Sequence, residues 1–140
     1  VATPIRVVNP NAPESRQQAI LVATKEARHY KERRMVFPTP PLQLLNQLTA
    51  LAHAEKFLVN EGIPTPTHQQ CLGKLVVPFG HYVNAPFHWL VSNDVGYMKY
   101  IIDKHRAEVK NKHKNAVIEN QWVKEYLTEY AVSFPSLHSP

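Results

Sequence analysis

The sequence predicts a mostly α-helical fold with a small β element, an α+β class with four to five helices and a short strand or hairpin near residues 72–80. Apolar residues recur at helical spacing through long stretches that lack glycine and proline, and the 12 prolines and 4 glycines fall mainly in the breaks between them. One short β-branched run stands between two such breaks. With 140 residues, 44% of them hydrophobic, the chain is long enough to bury a core.

An extended arm and two helices are predicted for the N-terminal half. Early prolines favour the arm, with a short edge strand at Ile5–Val8. Ser15–Arg34 contains neither Gly nor Pro and predicts the first helix. After a proline-rich break, Thr39 is expected to cap a second helix over Leu42–Asn60, which Gly62 ends.

A β element is predicted to open the C-terminal half, after a Pro/Thr turn or linker. Leu72–Phe79 is typical of a short strand or one arm of a hairpin, and Pro78 places it at a sheet edge. Gly80 permits a turn. Asn84 is then expected to cap a short helix over Ala85–Val91.

Two further helices complete the prediction. Asn93 is expected to cap a helix over Asp94–Lys110, and Ala116–Tyr130 is expected to form the last helix. The inner side of the first of these is predicted to be Val95, Met98, Ile101, Ile102 and His105. The predicted organisation is an arm with a helical pair over 1–62, a linker over 63–71, a module over 72–132 and a tail over 133–140, with one domain overall as the alternative.

The charge balance favours an anionic partner. Lys and Arg number 16 against 11 Asp and Glu, a formal net charge of +5, which suits DNA, RNA or an acidic protein surface. The cations gather in two clusters, which helices would present at spacings suited to a phosphate backbone. The alternative is a solvated helix face. The candidate phosphate-binding residues are Lys25, Arg28, Lys31, Arg33 and Arg34 in the first cluster and Lys104, Arg106, Lys110, Lys112 and Lys114 in the second.

Aromatic residues around the predicted turn are candidates for base stacking. An exposed Tyr82 beside His81 would form a suitable platform. The alternative is that the aromatic residues of this region form the core of the module, which is the favoured interpretation for Phe79, Phe87 and Trp89.

No catalytic constellation stands out. The 8 histidines form no HxH, HxxxH or HExxH pattern, and no phosphate-binding glycine loop occurs. Cys71 is the lone cysteine, which precludes an intrachain disulfide or a cysteine zinc cluster and fits an intracellular, reducing compartment, with the nucleus as one option. No apolar run is long enough to span a bilayer. We therefore expect no enzyme activity, metal, cofactor or membrane partner.

Residues 73–103 show a recognisable pattern: a strand ending in Phe79-Gly80, then His81-Tyr82, an aromatic-Leu helix at Trp89-Leu90 and an Asp-x-x-Tyr helix that starts at Asp94. This stretch resembles the small module at the C-terminus of exonuclease-X-like proteins and related short domains of mobile-element-associated animal proteins. The resemblance implies an accessory module that recognises a target for a larger machine.

This sequence departs from that family at the turn. The family has Lys-x-Lys-Gly-type residues there, whereas this chain has His81, Val83 and Asn84. The departure removes the family's cations and turn glycine, which weakens a nucleic-acid role carried over from it. The nuclease domain has no counterpart in this chain, so no catalytic residue is transferred.

Three hypotheses about function follow. The first is a non-catalytic nucleic-acid-binding accessory module. The second is a protein-interaction or oligomerisation module that buries an apolar helix face, either on Leu42–Asn60 or on the stripe Trp122, Tyr126 and Tyr130. The third is an enzyme that uses the histidines. The first requires the two basic clusters to share one surface.

Overall fold

The computed structural model describes residues 23–134 in full, together with the backbone of two strands at 5–8 and 18–21. This part holds six α-helices and two small antiparallel sheets, so the α+β class is confirmed, with more helices than expected. The elements are β1 (Ile5–Val8), β2 (Gln18–Leu21), α1 (Lys25–Lys31), α2 (Ala50–Asn60), α3 (His68–Lys74), β3 (Val76–Val77), β4 (Ala85–Pro86), α4 (Phe87–Asn93), α5 (Val95–Lys110) and α6 (Gln121–Ala131), with single 3₁₀ turns at Leu42–Leu45 and Gly80–Tyr82.

The N-terminal strand is confirmed, but the helix predicted over Ser15–Arg34 is wrong. β2 occupies part of that stretch and pairs antiparallel with β1, so hydrogen bonds to another strand, rather than within a helix, satisfy its backbone groups. The helix α1 begins only after Thr24, whose hydroxyl accepts the N–H of Ala27 at 3.1 Å. The first residues of that predicted helix, 15–17, lie outside the described residues.

The second helix starts eight residues later than expected, at Ala50, and Thr39 lies well before it. Leu42–Leu45 forms a separate 3₁₀ turn. The Thr49 hydroxyl donates to the carbonyl of Gln43 at 2.7 Å and stabilises this break. The predicted stop is confirmed, because Gly62 has φ +102 and its N–H donates to the carbonyl of Val59 at 3.0 Å.

The helix α3 occupies the middle of the stretch 63–79, where a linker and a strand are predicted. Thr67 and Gln70 form a reciprocal capping box: the Thr67 hydroxyl accepts the backbone N–H of Gln70 at 3.1 Å, and the side-chain Oε1 of Gln70 accepts the backbone N–H of Thr67 at 2.9 Å. Only Val76–Val77 remains as strand, paired with Ala85–Pro86. The predicted hairpin therefore exists, but it is shorter than expected.

The caps of α4 and α5 also differ from the prediction. Asn84 lies in the turn before β4 with φ 70, and Pro86 precedes the first residue of α4. Asp94, rather than Asn93, caps α5, because its carboxylate accepts the N–H of Tyr97 at 3.1 Å. The side chain of Asn93 instead accepts the Thr24 hydroxyl at 2.8 Å, which ties α1 to the end of α4.

The core joins both predicted halves of the chain. One cluster of buried hydrophobic residues contains Ala27 of α1, Ala54 of α2, Leu72 of α3, Met98 of α5 and Leu127 of α6. The inner side predicted for α5 is confirmed, since all five of its residues are buried. The last helix begins at residue 121 rather than 116. Most of the predicted tail, residues 135–140, lies outside the described residues.

Candidate nucleic-acid interface

The 3₁₀ turn Gly80–Tyr82 holds His81 at the surface. Gly80 has φ +80, and a Cβ built there would overlap the hydroxyl of Tyr97. That hydroxyl accepts the backbone N–H of His81 at 3.1 Å. The turn is therefore fixed against α5, with the His81 side chain exposed.

Three aromatic rings follow one another from this turn along α5. The ring of His81 lies 4.7 Å from that of Tyr97, centroid to centroid. The ring of Tyr97 lies 6.1 Å from that of Tyr100, with an interplanar angle of 19°. Tyr100 is 57% exposed, and the ammonium of Lys104 lies 6.0 Å from its ring centroid. Exposed rings beside a cation are the arrangement that unpaired bases stack on.

Tyr82 does not have the exposed position expected of a stacking platform. It is 2% exposed, and its ring packs 5.1 Å from Trp89 and 5.3 Å from Tyr97. Its hydroxyl donates to the Asp94 carboxylate at 2.5 Å. Burial, followed by this hydrogen bond, raises the pKa of Tyr82 well above its usual value. Tyr82 is thus part of the scaffold, as are the buried Phe87 and the partly buried Trp89.

Two grooves meet at the turn. We call the first the Arg33 groove: it is lined by Tyr30, Arg33 and neighbouring residues, and has a volume of about 300 Å³. The second, the Lys104 groove, is lined by Tyr97, Tyr100, Lys104 and neighbouring residues, and has a volume of about 330 Å³. Both include Gly80 and His81, so one cation from each sequence cluster borders the same turn.

The other predicted cations do not join this surface. Every predicted phosphate-binding cation is exposed, but Arg106 and Lys110 line a separate concavity with Glu125 and Thr128. Two residues along an α-helix correspond to a rotation of about 200°, so Arg106 points away from Lys104. The second cluster is therefore divided between two faces of α5.

The remaining candidates are spread over other exposed segments. Arg34 pairs with Glu32 at 3.1 Å. The others lie on α1 and on the segment after α5, their side chains are exposed, and none of them lines either groove at the turn. These remaining candidates are Lys25, Arg28, Lys31, Lys112 and Lys114.

The Lys104 groove also contains Lys124, which the sequence did not indicate as a candidate. Its ammonium lies 5.7 Å from the ring centroid of Phe79 and 3.4 Å from the carboxylate of Glu108, and its side chain is only 13% exposed. Glu108 and Glu119 line the same groove. Two carboxylates therefore balance two ammonium groups in this groove. Lys104 is the exposed one of the two lysines, and Arg33 is the exposed cation on the other side of the turn.

Residues 23–134 contain no cluster of metal ligands and no membrane-spanning helix. No group of three or more His, Cys, Asp or Glu side chains in that range is arranged to hold a metal ion. None of the helices described combines the length and apolarity needed to cross a bilayer.

Comparison of the chain with family models, curated proteins and solved structures finds nothing that matches. The resemblance of residues 73–103 to the exonuclease-X-like module therefore stays a prediction.

Proposed function

We propose that this protein is a non-catalytic module that binds single-stranded DNA or RNA at the turn Gly80–Tyr82. The observation that carries the proposal is the meeting of the Arg33 and Lys104 grooves at His81. Unpaired bases would stack on Tyr100 and His81, because every base offers a π-face to an exposed ring. Arg33 and Lys104 would contact the phosphates on either side.

The net charge supports the same interpretation. A net charge of +5 favours approach of a polyanion from any direction, which increases the rate of association. The resemblance to an accessory module of exonuclease-X-like proteins favours a role in target recognition for a larger machine. An intracellular, nuclear location is part of this proposal, because nucleic acid would be the partner.

Two charge-matched double variants test the interface. Arg33→Gln with Lys104→Gln removes the two cations at the turn, whereas Arg106→Gln with Lys110→Gln removes the same charge from the opposite face of α5. Affinity for a fluorescein-labelled single-stranded oligonucleotide is measured by anisotropy over a range of salt concentrations. The first pair is expected to reduce the salt slope by about 1.4, at roughly 0.7 per lost phosphate contact. The second pair should leave the slope close to that of the unaltered protein.

Tyr100→Ala tests the stacking contribution separately from charge. Loss of one base–aromatic stack should cost about 1–3 kcal/mol of binding free energy, with little change in the salt slope. Equal weakening by both double variants would indicate diffuse attraction and contradict the assigned site. Absence of binding to any DNA or RNA at low salt would rule out the proposed function itself.

A second candidate function is protein interaction or homo-oligomerisation, and exposed leucines favour it. Leu42 is 80% exposed and Leu48 is 91% exposed, on the segment that precedes α2. The faces first expected to serve this purpose are largely occupied, since Ala54 and Leu58 of α2 and Tyr130 of α6 are buried in the protein's own core. Light scattering should show a mass that rises with concentration, and Leu48→Asp should abolish the rise. A constant monomer mass would eliminate the homo-oligomer.

A further inference from the structure

A third concave site lies between the proline-rich segment and α2, and we call it the proline groove. Its volume is about 310 Å³, at the lower end of the range of small-molecule sites. Residues 37–41 form one wall and His53, Ala54 and Phe57 of α2 form another. Lys74 and His88, from the ends of two further helices, complete the rim.

The walls of the proline groove are apolar and largely rigid. Ala54 is 1% exposed and Val76 is 6% exposed, so both residues are already fixed by the core. Three prolines lie in the segment opposite them, and proline restricts the backbone before any ligand arrives. A preformed apolar site reduces the ordering cost of binding. The ring of Phe57 borders this site while 48% of the residue stays exposed.

The polar groups of the groove favour an anion. Among its lining residues, all of which belong to the described part of the chain, Lys74 carries the formal charge, His53 and His88 add imidazoles, and none carries a carboxylate. The Lys74 ammonium lies 5.1 Å from the Phe57 ring centroid, so the charge borders the apolar wall.

The existing contacts of Lys74 leave room for a ligand. Its ammonium is 3.4 Å from the carboxylate of Glu61, a partly exposed pair. An ammonium has three N–H donors, and exposed pairs of this kind contribute little. Partial desolvation, followed by the nearby charge of Lys74, lowers the pKa of His88. A neutral imidazole there can donate a hydrogen bond to a carboxylate.

We propose that the proline groove binds a small aromatic carboxylate, with its ring against Phe57 and the proline wall and its carboxylate at Lys74. The groove is an apolar concavity of about 310 Å³ with one cation, Lys74, at its rim and no carboxylate among its lining residues. The site shares none of its cations with the interface at His81. The inference therefore stands independently of the nucleic-acid proposal.

The test uses two probes of nearly the same shape, the charged 1-naphthaleneacetate and the neutral 1-naphthaleneacetamide. Each is titrated into the full ¹⁵N-labelled chain, and amide chemical shifts are followed. The acetate should shift resonances of Ala54, Val76 and Lys74 and bind roughly fivefold more tightly than the acetamide, as expected for one solvent-accessible charge pair.

Three variants separate the contribution of the charge from that of the apolar wall to the binding free energy. Lys74→Gln should remove the preference for the acetate, while Phe57→Ala should weaken both probes. Lys56→Gln removes an exposed charge from the same helix outside the groove and should change neither affinity. The shift map of each unliganded variant confirms that it folds.

Three results would overturn the proposal. The first is equal binding of the acetate and the acetamide by the unaltered protein, and the second is a preference that persists in Lys74→Gln. The third is concentration-dependent shifts at the groove without probe, which would show that a second copy of the chain occupies it.

Discussion

The pairing of Tyr82 with Asp94 should contribute a large share of the stability of this protein. The two carboxylate oxygens of Asp94 have separate roles: one accepts the N–H of Tyr97 at 3.1 Å and caps α5, and the other accepts the hydroxyl of Tyr82 at 2.5 Å. Asp94→Ala removes both bonds. The lost cap should cost about 1 kcal/mol, and the buried Tyr82 hydroxyl left without its acceptor about 1–3 kcal/mol more.

Urea and thermal unfolding measure the predicted loss of about 2–4 kcal/mol in Asp94→Ala. For a domain of this length, each kcal/mol lowers the Tm by roughly 4 °C, so we expect a fall of about 8–16 °C. Tyr82→Phe leaves the cap intact and removes only the hydroxyl's hydrogen bond. Its cost should be limited to about 1–2 kcal/mol, because the half-buried Asp94 carboxylate can bond to water instead.

A double-mutant cycle isolates the hydrogen bond itself. Tyr82→Phe with Asp94→Ala should destabilise by about 1–2 kcal/mol less than the sum of the two single variants, because both remove the same bond. Asp94→Asn is the matched control: it keeps a good capping side chain and a neutral acceptor, and should lose less than Asp94→Ala. Strict additivity of the two single variants would refute the reasoning.

Three further predictions concern other parts of the fold. Gly80→Ala should cost about 1–3 kcal/mol of stability, because alanine is strained at the positive φ of this position. The added Cβ would displace the Tyr97 hydroxyl, so oligonucleotide affinity, measured by anisotropy, should also fall. An unchanged affinity would contradict the role of the turn. Burial raises the pKa of Tyr130 to about 12, so the folded state retains this proton while the unfolded chain loses it near pH 10. This contribution is complete below pH 10, and about 2–3 kcal/mol of it should be lost between pH 10 and 12. Urea unfolding of Tyr130→Phe should show a decline smaller by this amount, with the part due to the buried Tyr82 remaining. Thr67→Ala should lower stability by about 1 kcal/mol through its capping box, whereas Thr39→Ala should leave the Tm nearly unchanged.

Local signals predicted several elements correctly. The spacing of apolar residues on α5 indicated its buried side, because a helix repeats every 3.6 residues whatever its neighbours are. Gly62 indicated the end of α2, because the positive φ that often ends a helix is most easily adopted by glycine. The helix α3 was not predicted, although the capping box of Thr67 and Gln70 is an equally local signal within a proline-rich stretch.

Residues of the candidate site were harder to predict than the helices. His81 was indicated by its place beside a turn, and it lies exposed there. Tyr82 and Tyr100 are both tyrosines near that turn, yet the first is 2% exposed and the second 57% exposed. Which ring is buried depends on Trp89 and Asp94, whose positions relative to the turn follow from packing.

By itself, the sequence determined the fold class, the helical period of α5, the chain reversal at Gly62 and the positive charge, because each depends on composition or on residues a few positions apart. The tertiary structure alone decided that Gln18–Leu21 is a strand, since its hydrogen-bond partners are in β1. It also decided that Arg33 and Lys104 border one turn while Arg106 faces elsewhere. A surface is assembled from segments distant in sequence, and the way their helices pack sets the direction of each side chain.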